Sequence, residues 1–452
     1  MSTRSSWLPA LLIGGIVLVS FTGCSDSSDV GLGVGSDPLG GGDPATFDAL
    51  PTLDTTRTAP ITGDNARDRP RSQNAWRFLI GVVDDPVPGT GIVEAEGYLD
   101  FAGRSTLPSE IADPNAPDSL TAELRLTTDY FHGTSTTSME VEVYNLTEEE
   151  DMDSTRATAS FSADPSPVSV EMATINPSDS LVTIQLQQSW VNNNLGTLRN
   201  TSSDGADFED EFHGFKIIAP NSEAVAGFSS SDAALRLRRV ASGDTVTADY
   251  SGLKTFTHLE QRNAGDPPSG YRLMQDGIGA GLSMEWDFSE PPLDTLESDP
   301  LNRAEIVVPN DTSALESFTP SDFERPQPQG YRIIATRASA PDAPSCRAVG
   351  AVAFSDANEA CLLPLRPSAA PTAALVPDNV SRPIFEQSFR RVRDGQSPVF
   401  TTFRVFVADR ENTSVNQGAT IQPGLPTTLP VLVPDEGTDP KPPRAALTVT
   451  PL

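Results

Sequence analysis

Three histidines, His132, His213 and His258, stand singly among turn and strand residues. No metal-protease pair, serine-hydrolase elbow or nucleotide phosphate loop accompanies them. A Ser-His-Asp site is defined by geometry rather than chain order, so scattered residues can still assemble one, but no local signature selects a catalytic residue. Two acidic clusters offer oxygens to calcium: Glu148-Glu149-Glu150-Asp151 with Asp153, and Asp207, Glu209, Asp210 and Glu211 beside His213. Calcium takes roughly six to eight oxygens from a shaped loop, and neither cluster has the glycine of an EF-hand, so solvated loop charge is the competing reading. Asp84-Asp85-Pro86 is a third candidate, against a turn whose Asp side chains bond their own backbone. Glycan binding would pair an aromatic face with amides or carboxylates. Tyr130-Phe131-His132, Trp190 with Asn192 to Asn194, and Trp286 supply such sets. Core packing explains Trp76 and Trp286 more simply. Tyr130 to Gly133 falls between two predicted strands, where binding loops lie.

The elements that must carry these residues are strands. Leu120, Ala122, Leu124 and Leu126 alternate with polar residues, and Met139, Val141 and Val143 alternate with Glu140, Glu142 and Tyr144, each the period of a half-buried strand. Trp76 to Val83, Ile92 to Phe101, Leu181 to Leu186, Gly214 to Ile218 and Ala234 to Val240 add further runs, a number that suits a sandwich. Gln187 to Leu198 is the helical candidate of this half, with Trp190 placed to cover one end of the sheets. After about residue 257 a second set follows: Tyr271 to Leu273, Gly281 to Phe288, Ala304 to Val308, Tyr331 to Thr336, Ala348 to Phe354, Val399 to Ala408 and Ala445 to Val449. Proline-rich joints separate these runs. With 37% hydrophobic residues, 40 Pro and 33 Gly in 452 residues, long helices are not expected. The expected fold is all-β: a jelly-roll-like sandwich over 76–257 and a second β-rich region over 258–452.

The N-terminus has a different character. Residues 1–23 carry one charge, Arg4, and an apolar run from Trp7 to Val19, followed by Ser20-Phe21-Thr22-Gly23-Cys24. The run is too short for a comfortable span of about 20 residues and reads as a secretion signal. Gly23 before Cys24 resembles the bacterial lipoprotein cleavage box, with Cys24 as the lipidated residue; two or three acyl chains anchor stably where one does not. Residues 24–75 then read as a flexible acidic tether, with one or two strands near Phe47 to Thr62 joining the following sheet. With Cys24 lipidated, Cys346 and Cys361 remain as an even pair in an oxidising compartment, read as one disulfide stabilising by roughly 3 kcal/mol.

The formal net charge of -31 repels polyanions and removes nucleic acid from the partners. Lys216, Lys254 and Lys441 are the only lysines. Scarce lysine with abundant acid fits a surface hydrated in concentrated salt, and a GC-rich genome favouring arginine is the competing explanation.

Cys24 with its acidic tether and Leu32-Gly33, Leu79-Ile80-Gly81 with Asp84-Asp85-Pro86 and Gly89, Leu99-Asp100-Phe101, Asp118-Ser119-Leu120 and Val143 to Glu148 together resemble a domain-of-unknown-function family of lipoproteins in Bacteroidota and their relatives. The resemblance spans most of the mature chain and contains no catalytic motif. It implies an outer-membrane lipoprotein with jelly-roll-like domains, displayed on the cell surface or else facing the periplasm. The expected function is therefore non-catalytic: a lipid-anchored binding or structural module for a glycan or an envelope protein, with no cofactor unless calcium. The alternative is an extracellular polysaccharide hydrolase or a calcium-dependent carbohydrate-active protein.

Overall fold

Alternation in the sequence becomes layering in the structure. Leu120, Ala122, Leu124 and Leu126 are buried while Thr121, Glu123 and Arg125 turn away from the core. The computed structural model describes residues 43–57, 77–113, 120–135, 138–148, 152, 159–175, 181–241, 244–275, 280–296, 299–328, 330–337, 345–353, 360–366, 369, 372–408, 427–437 and 440–450. In chain order the strands are β1 (Ala45–Ala49), β2 (Thr52–Arg57), β3 (Arg77–Asp84), β4 (Ile92–Phe101), β5 (Leu120–Thr134), β6 (Ser138–Asn145), β7 (Ser169–Thr174), β8 (Val182–Gln185), β9 (Phe215–Ile218), β10 (Ala224–Ala241), β11 (Asp244–Arg262), β12 (Tyr271–Gln275), β13 (Ala280–Glu285), β14 (Leu301–Pro309), β15 (Phe323–Glu324), β16 (Gly330–Arg337), β17 (Val352–Ala353), β18 (Ala360–Leu363), β19 (Ala373–Val376), β20 (Phe400–Ala408), β21 (Pro430–Pro434) and β22 (Arg444–Val449). Among the described residues, no helix is long and apolar enough to cross a membrane.

The fold is all-β and sandwich-like. A ten-stranded sheet runs β15-β5-β10-β11-β4-β9-β6-β7, with β3 between β10 and β4 and with β8 against β5. The long β11 serves two partners and the long β10 three. Val225 to Ser229 of β10 pair with β3, whereas Ala234 to Ala241 pair with β11, which then turns to pair with β4. The sheet curls until its ends meet: the backbone N–H of Gln187, just after β8, donates to Val168 O, just before β7, at 2.9 Å. Inside the curl Phe78, Leu99, Leu124, Val141, Phe215 and Leu235 form one apolar cluster.

The rest of the described chain makes an eight-stranded sheet, β17-β18-β16-β20-β13-β12-β21 with β2 on β13, and a four-stranded sheet, β1-β22-β14-β19. Trp286, Ile306, Ile333, Phe385, Phe403 and Leu447 share the core of this half. The disulfide Cys346–Cys361 closes within this region with a Cα–Cα distance of 5.3 Å, as the even pair led one to expect.

Several expectations are refined. The two strands in the tether exist, but they join the C-terminal sheets through β22 and β13 rather than the sheet that follows them in sequence. β11 runs through the position expected to part the two regions, residues 257 and 258. The helix Asp378–Arg393 was not expected. It forms because Val380, Ile384, Phe385, Ser388 and Phe389 lie on one face at helical spacing and are buried, despite Pro383 within it. Cys24 and the apolar run before it lie outside the described residues.

Candidate functional site

β5 breaks its alternation at one point. Its register against β10 shifts between Tyr130 and Thr128, leaving Asp129 as the extra residue of a bulge. The bulge turns the Asp129 carboxylate toward Arg77 of β3, whose Nε and Nη2 donate to Oδ1 and Oδ2 at 2.8 and 3.1 Å. The same guanidinium lies 4.8 Å from the centroid of the Tyr130 ring, within cation-π range. In front of this group opens a cleft of about 410 Å³, lined by Thr128, Asp129, Tyr130 and Phe131 of β5, by Glu324 to Gln327 and by Leu429. The Thr128 hydroxyl oxygen is shielded from water and has no hydrogen-bond partner among the described residues.

Behind the cleft lies a buried polar network. Asp85 follows β3 in a tight turn, where its Oδ1 accepts from Val87 N at 2.9 Å and the Thr90 hydroxyl donates to Asp85 O at 2.8 Å. Asp85 Oδ2 accepts from His132 Nε2 at 2.7 Å and from Arg325 Nε at 2.8 Å, and Arg325 Nη2 donates to Oδ1 at 2.8 Å. The other imidazole nitrogen, Nδ1, is hydrogen-bonded to Thr428 Oγ1 at 2.7 Å. Thr428 in turn meets the Tyr130 hydroxyl through Oγ1 and through its backbone N–H, each at 3.1 Å. Burial alone would raise the pKa of Asp85. Hydrogen bonds and positive charge from His132 and Arg325 outweigh it and hold the carboxyl at about 2.

Carboxylate, imidazole and hydroxyl in this order would activate the hydroxyl if a substrate could reach it. His132 and Thr428 are both completely buried, so the chain of groups acts as a fixed strut. It ties β3, β5 and the segments that carry Arg325 and Thr428 into one wall, and it fixes the guanidinium of Arg325 at the cleft.

The residues singled out by sequence divide accordingly. Tyr130 and Phe131 do line the cleft, but as members of β5 and largely buried, not as an exposed loop between strands. His132 sits behind them. Trp190 is elsewhere, in the short helix Gln188–Asn193, where its ring packs 5.4 Å from that of Phe215 in the sandwich core. Asp84 is exposed, and Asp85 is taken up by Val87, His132 and Arg325. Asp207 and Asp210 project to solvent from the helix Ala206–Glu211. Among the described residues, no group of three or more His, Cys, Asp or Glu side chains gathers as a metal site. Sequence reasoning missed Arg77, Asp129, Arg325 and Thr428. The one local signal was the polar run Thr127-Thr128-Asp129, which interrupts an alternating strand.

No family model matches the chain, and no curated protein matches it in sequence. Among solved structures, one named BspA_C_WT aligns with 78% of this chain and 99% of its own at 7% identity, with a TM-score of 0.14. The N-terminal CBM22-1-CBM22-2 tandem domain from Paenibacillus barcinonensis Xyn10C aligns with 91% of this chain and 98% of its own at 10% identity, with a TM-score of 0.13. Scores this low establish neither a common fold nor a common ligand.

Proposed function

We propose that this chain is a non-catalytic lipoprotein of the cell envelope, anchored through Cys24 to the outer membrane and displayed on the cell surface, where it acts as a binding module. This keeps it with the lipoprotein family its sequence resembles. The observation that carries the binding role is the cleft beside Tyr130, whose walls come from distant parts of the chain and are held by ion pairs rather than by flexible loops. Rigid walls with mixed polar and apolar lining are what a ligand site needs. Catalysis is left out because the imidazole and hydroxyl behind the cleft are enclosed, and the Asp129 carboxylate is paired with Arg77.

The anchor is tested by fractionation and protease shaving of intact cells in their native salt. The wild-type chain should sediment with membranes and lose its β-rich body to added protease. The Cys24→Ala chain should leave the membrane fraction. Retention of that variant overturns the anchor, and protection of the wild type in intact cells but not in lysed ones places the protein in the periplasm. Reducing-end release from extracellular polysaccharides by the purified chain would favour the hydrolase alternative instead.

A further inference from the structure

We infer that the cleft takes a single ring or chain end of a neutral saccharide, an inference that rests on the binding role proposed above. Size comes first. A space of about 410 Å³ suits a small group, within the roughly 300–1,000 Å³ usual for small-ligand sites. A protein partner would instead need a broad surface of about 800 Å² on each side.

Charge decides between kinds of sugar. Both guanidinium groups at the cleft already face carboxylates, Arg77 with Asp129 at 2.8 Å and Arg325 with Asp85 at 2.8 Å. Glu324 adds a negative charge to the lining. A uronate, sulfate or phosphate would therefore meet two carboxylates and no surplus cation, in a chain whose net charge is already -31.

Hydrogen-bonding capacity points the same way. Sugar hydroxyls both donate and accept. The carboxylates of Asp129 and Glu324 accept only, and the Gln327 amide both donates and accepts. Pro326 and Leu429 offer apolar surface for the C–H face of a pyranose ring. A neutral saccharide combines these properties, having hydroxyls on its edge, C–H groups on its faces and no charge.

The test uses the mature lipoprotein in detergent, applied to immobilised neutral oligosaccharides of glucose, mannose and galactose, with uronate-containing and sulfated glycans beside them. Neutral glycans should bind, and affinity should fall about tenfold in Gln327→Ala and in Glu324→Gln, with melting temperatures close to wild type. Preference for acidic glycans that is lost in the same variants overturns the neutral class and leaves the cleft as the site. Neutral binding that neither variant changes overturns the cleft. Absence of binding to every glycan overturns the saccharide assignment, including the case in which an envelope protein is the partner. Failure of the anchored reading is seen separately, in the Cys24→Ala fractionation.

Discussion

His132 Nε2 lies 2.7 Å from Asp85 Oδ2, and the two side chains are 0% and 1% exposed. Forty-seven residues separate them in sequence. A carboxylate so far from water is tolerated because its oxygens face several donors at once, including the Arg325 guanidinium from a segment 240 residues further on. The pair joins the turn after β3 to the wall of β5, and Arg325 and Thr428 extend the contact into the second half of the chain. The two β-rich halves therefore share a buried polar joint as well as a strand.

Removing one member of such a joint leaves the others enclosed without partners. Asp85→Ala is expected to lower stability by about 3–5 kcal/mol, because Arg325 would keep its charge in a buried site. His132→Ala should cost less, about 2 kcal/mol, since the Asp85–Arg325 pair survives it. Urea unfolding midpoints measure both. A loss under about 1 kcal/mol in Asp85→Ala would mean that the joint is not a strut.

Acid sensitivity has a defined window. Folding lowers the Asp85 value from 3.8 to about 2, so the folded state favours the ionised form. The contribution is complete above about pH 4 and disappears as the pH falls toward 2. It amounts to about 2 kcal/mol at neutral pH. Asp85→Asn cannot ionise, so the stability gap between wild type and this variant should be constant from pH 7 to 5 and narrow below pH 4. A gap independent of pH down to 2.5 would place the effect in packing rather than charge.

Much of the sheet architecture is legible in the sequence because period-2 alternation reports burial directly. Ile92 to Phe101 became β4 without change, and the runs at Met139 and Val399 became β6 and β20 within a residue or two. The candidate site was only half legible. Tyr130 and Phe131 drew notice as aromatics, but the three polar residues before them looked like a strand end, when they mark a bulge within β5. Arg325 and Thr428 carry no local pattern at all. Their role comes from long-range placement, which a single sequence does not encode in any window. The helix Asp378–Arg393 did leave a trace, apolar residues at helical spacing, but Pro383 and the proline-rich surroundings masked it.

The disulfide should contribute mainly by restricting the unfolded chain. Its loop is short, so the double variant Cys346→Ala with Cys361→Ala is expected to lose roughly 3 kcal/mol. Both cysteines are buried among the residues of the C-terminal core, where alanine leaves little empty space, so most of the loss should come from chain entropy. Reducing the wild type with dithiothreitol should reproduce the effect, shifting the unfolding midpoint by the same amount as the substitution. Unequal shifts would indicate that packing around the sulfur atoms contributes separately.

Gly227 provides a local test of the cleft wall. It lies in β10 opposite Leu79 on one side and Tyr130 on the other. A methyl group there would come within 2.6 Å of Arg77 Cδ and 2.7 Å of Tyr130 Cβ, closer than such atoms approach. Gly227→Ala must therefore displace Arg77, Tyr130 or Leu79, at an expected cost of about 1–3 kcal/mol from overpacking. Gly265→Ala is the control, since a methyl group there meets nothing within 4 Å. If the cleft binds ligand, Gly227→Ala should weaken binding more than its loss of stability would suggest, while Gly265→Ala leaves both near wild type. Full affinity in a well-folded Gly227→Ala chain would show that the Arg77–Tyr130 wall plays no part in recognition.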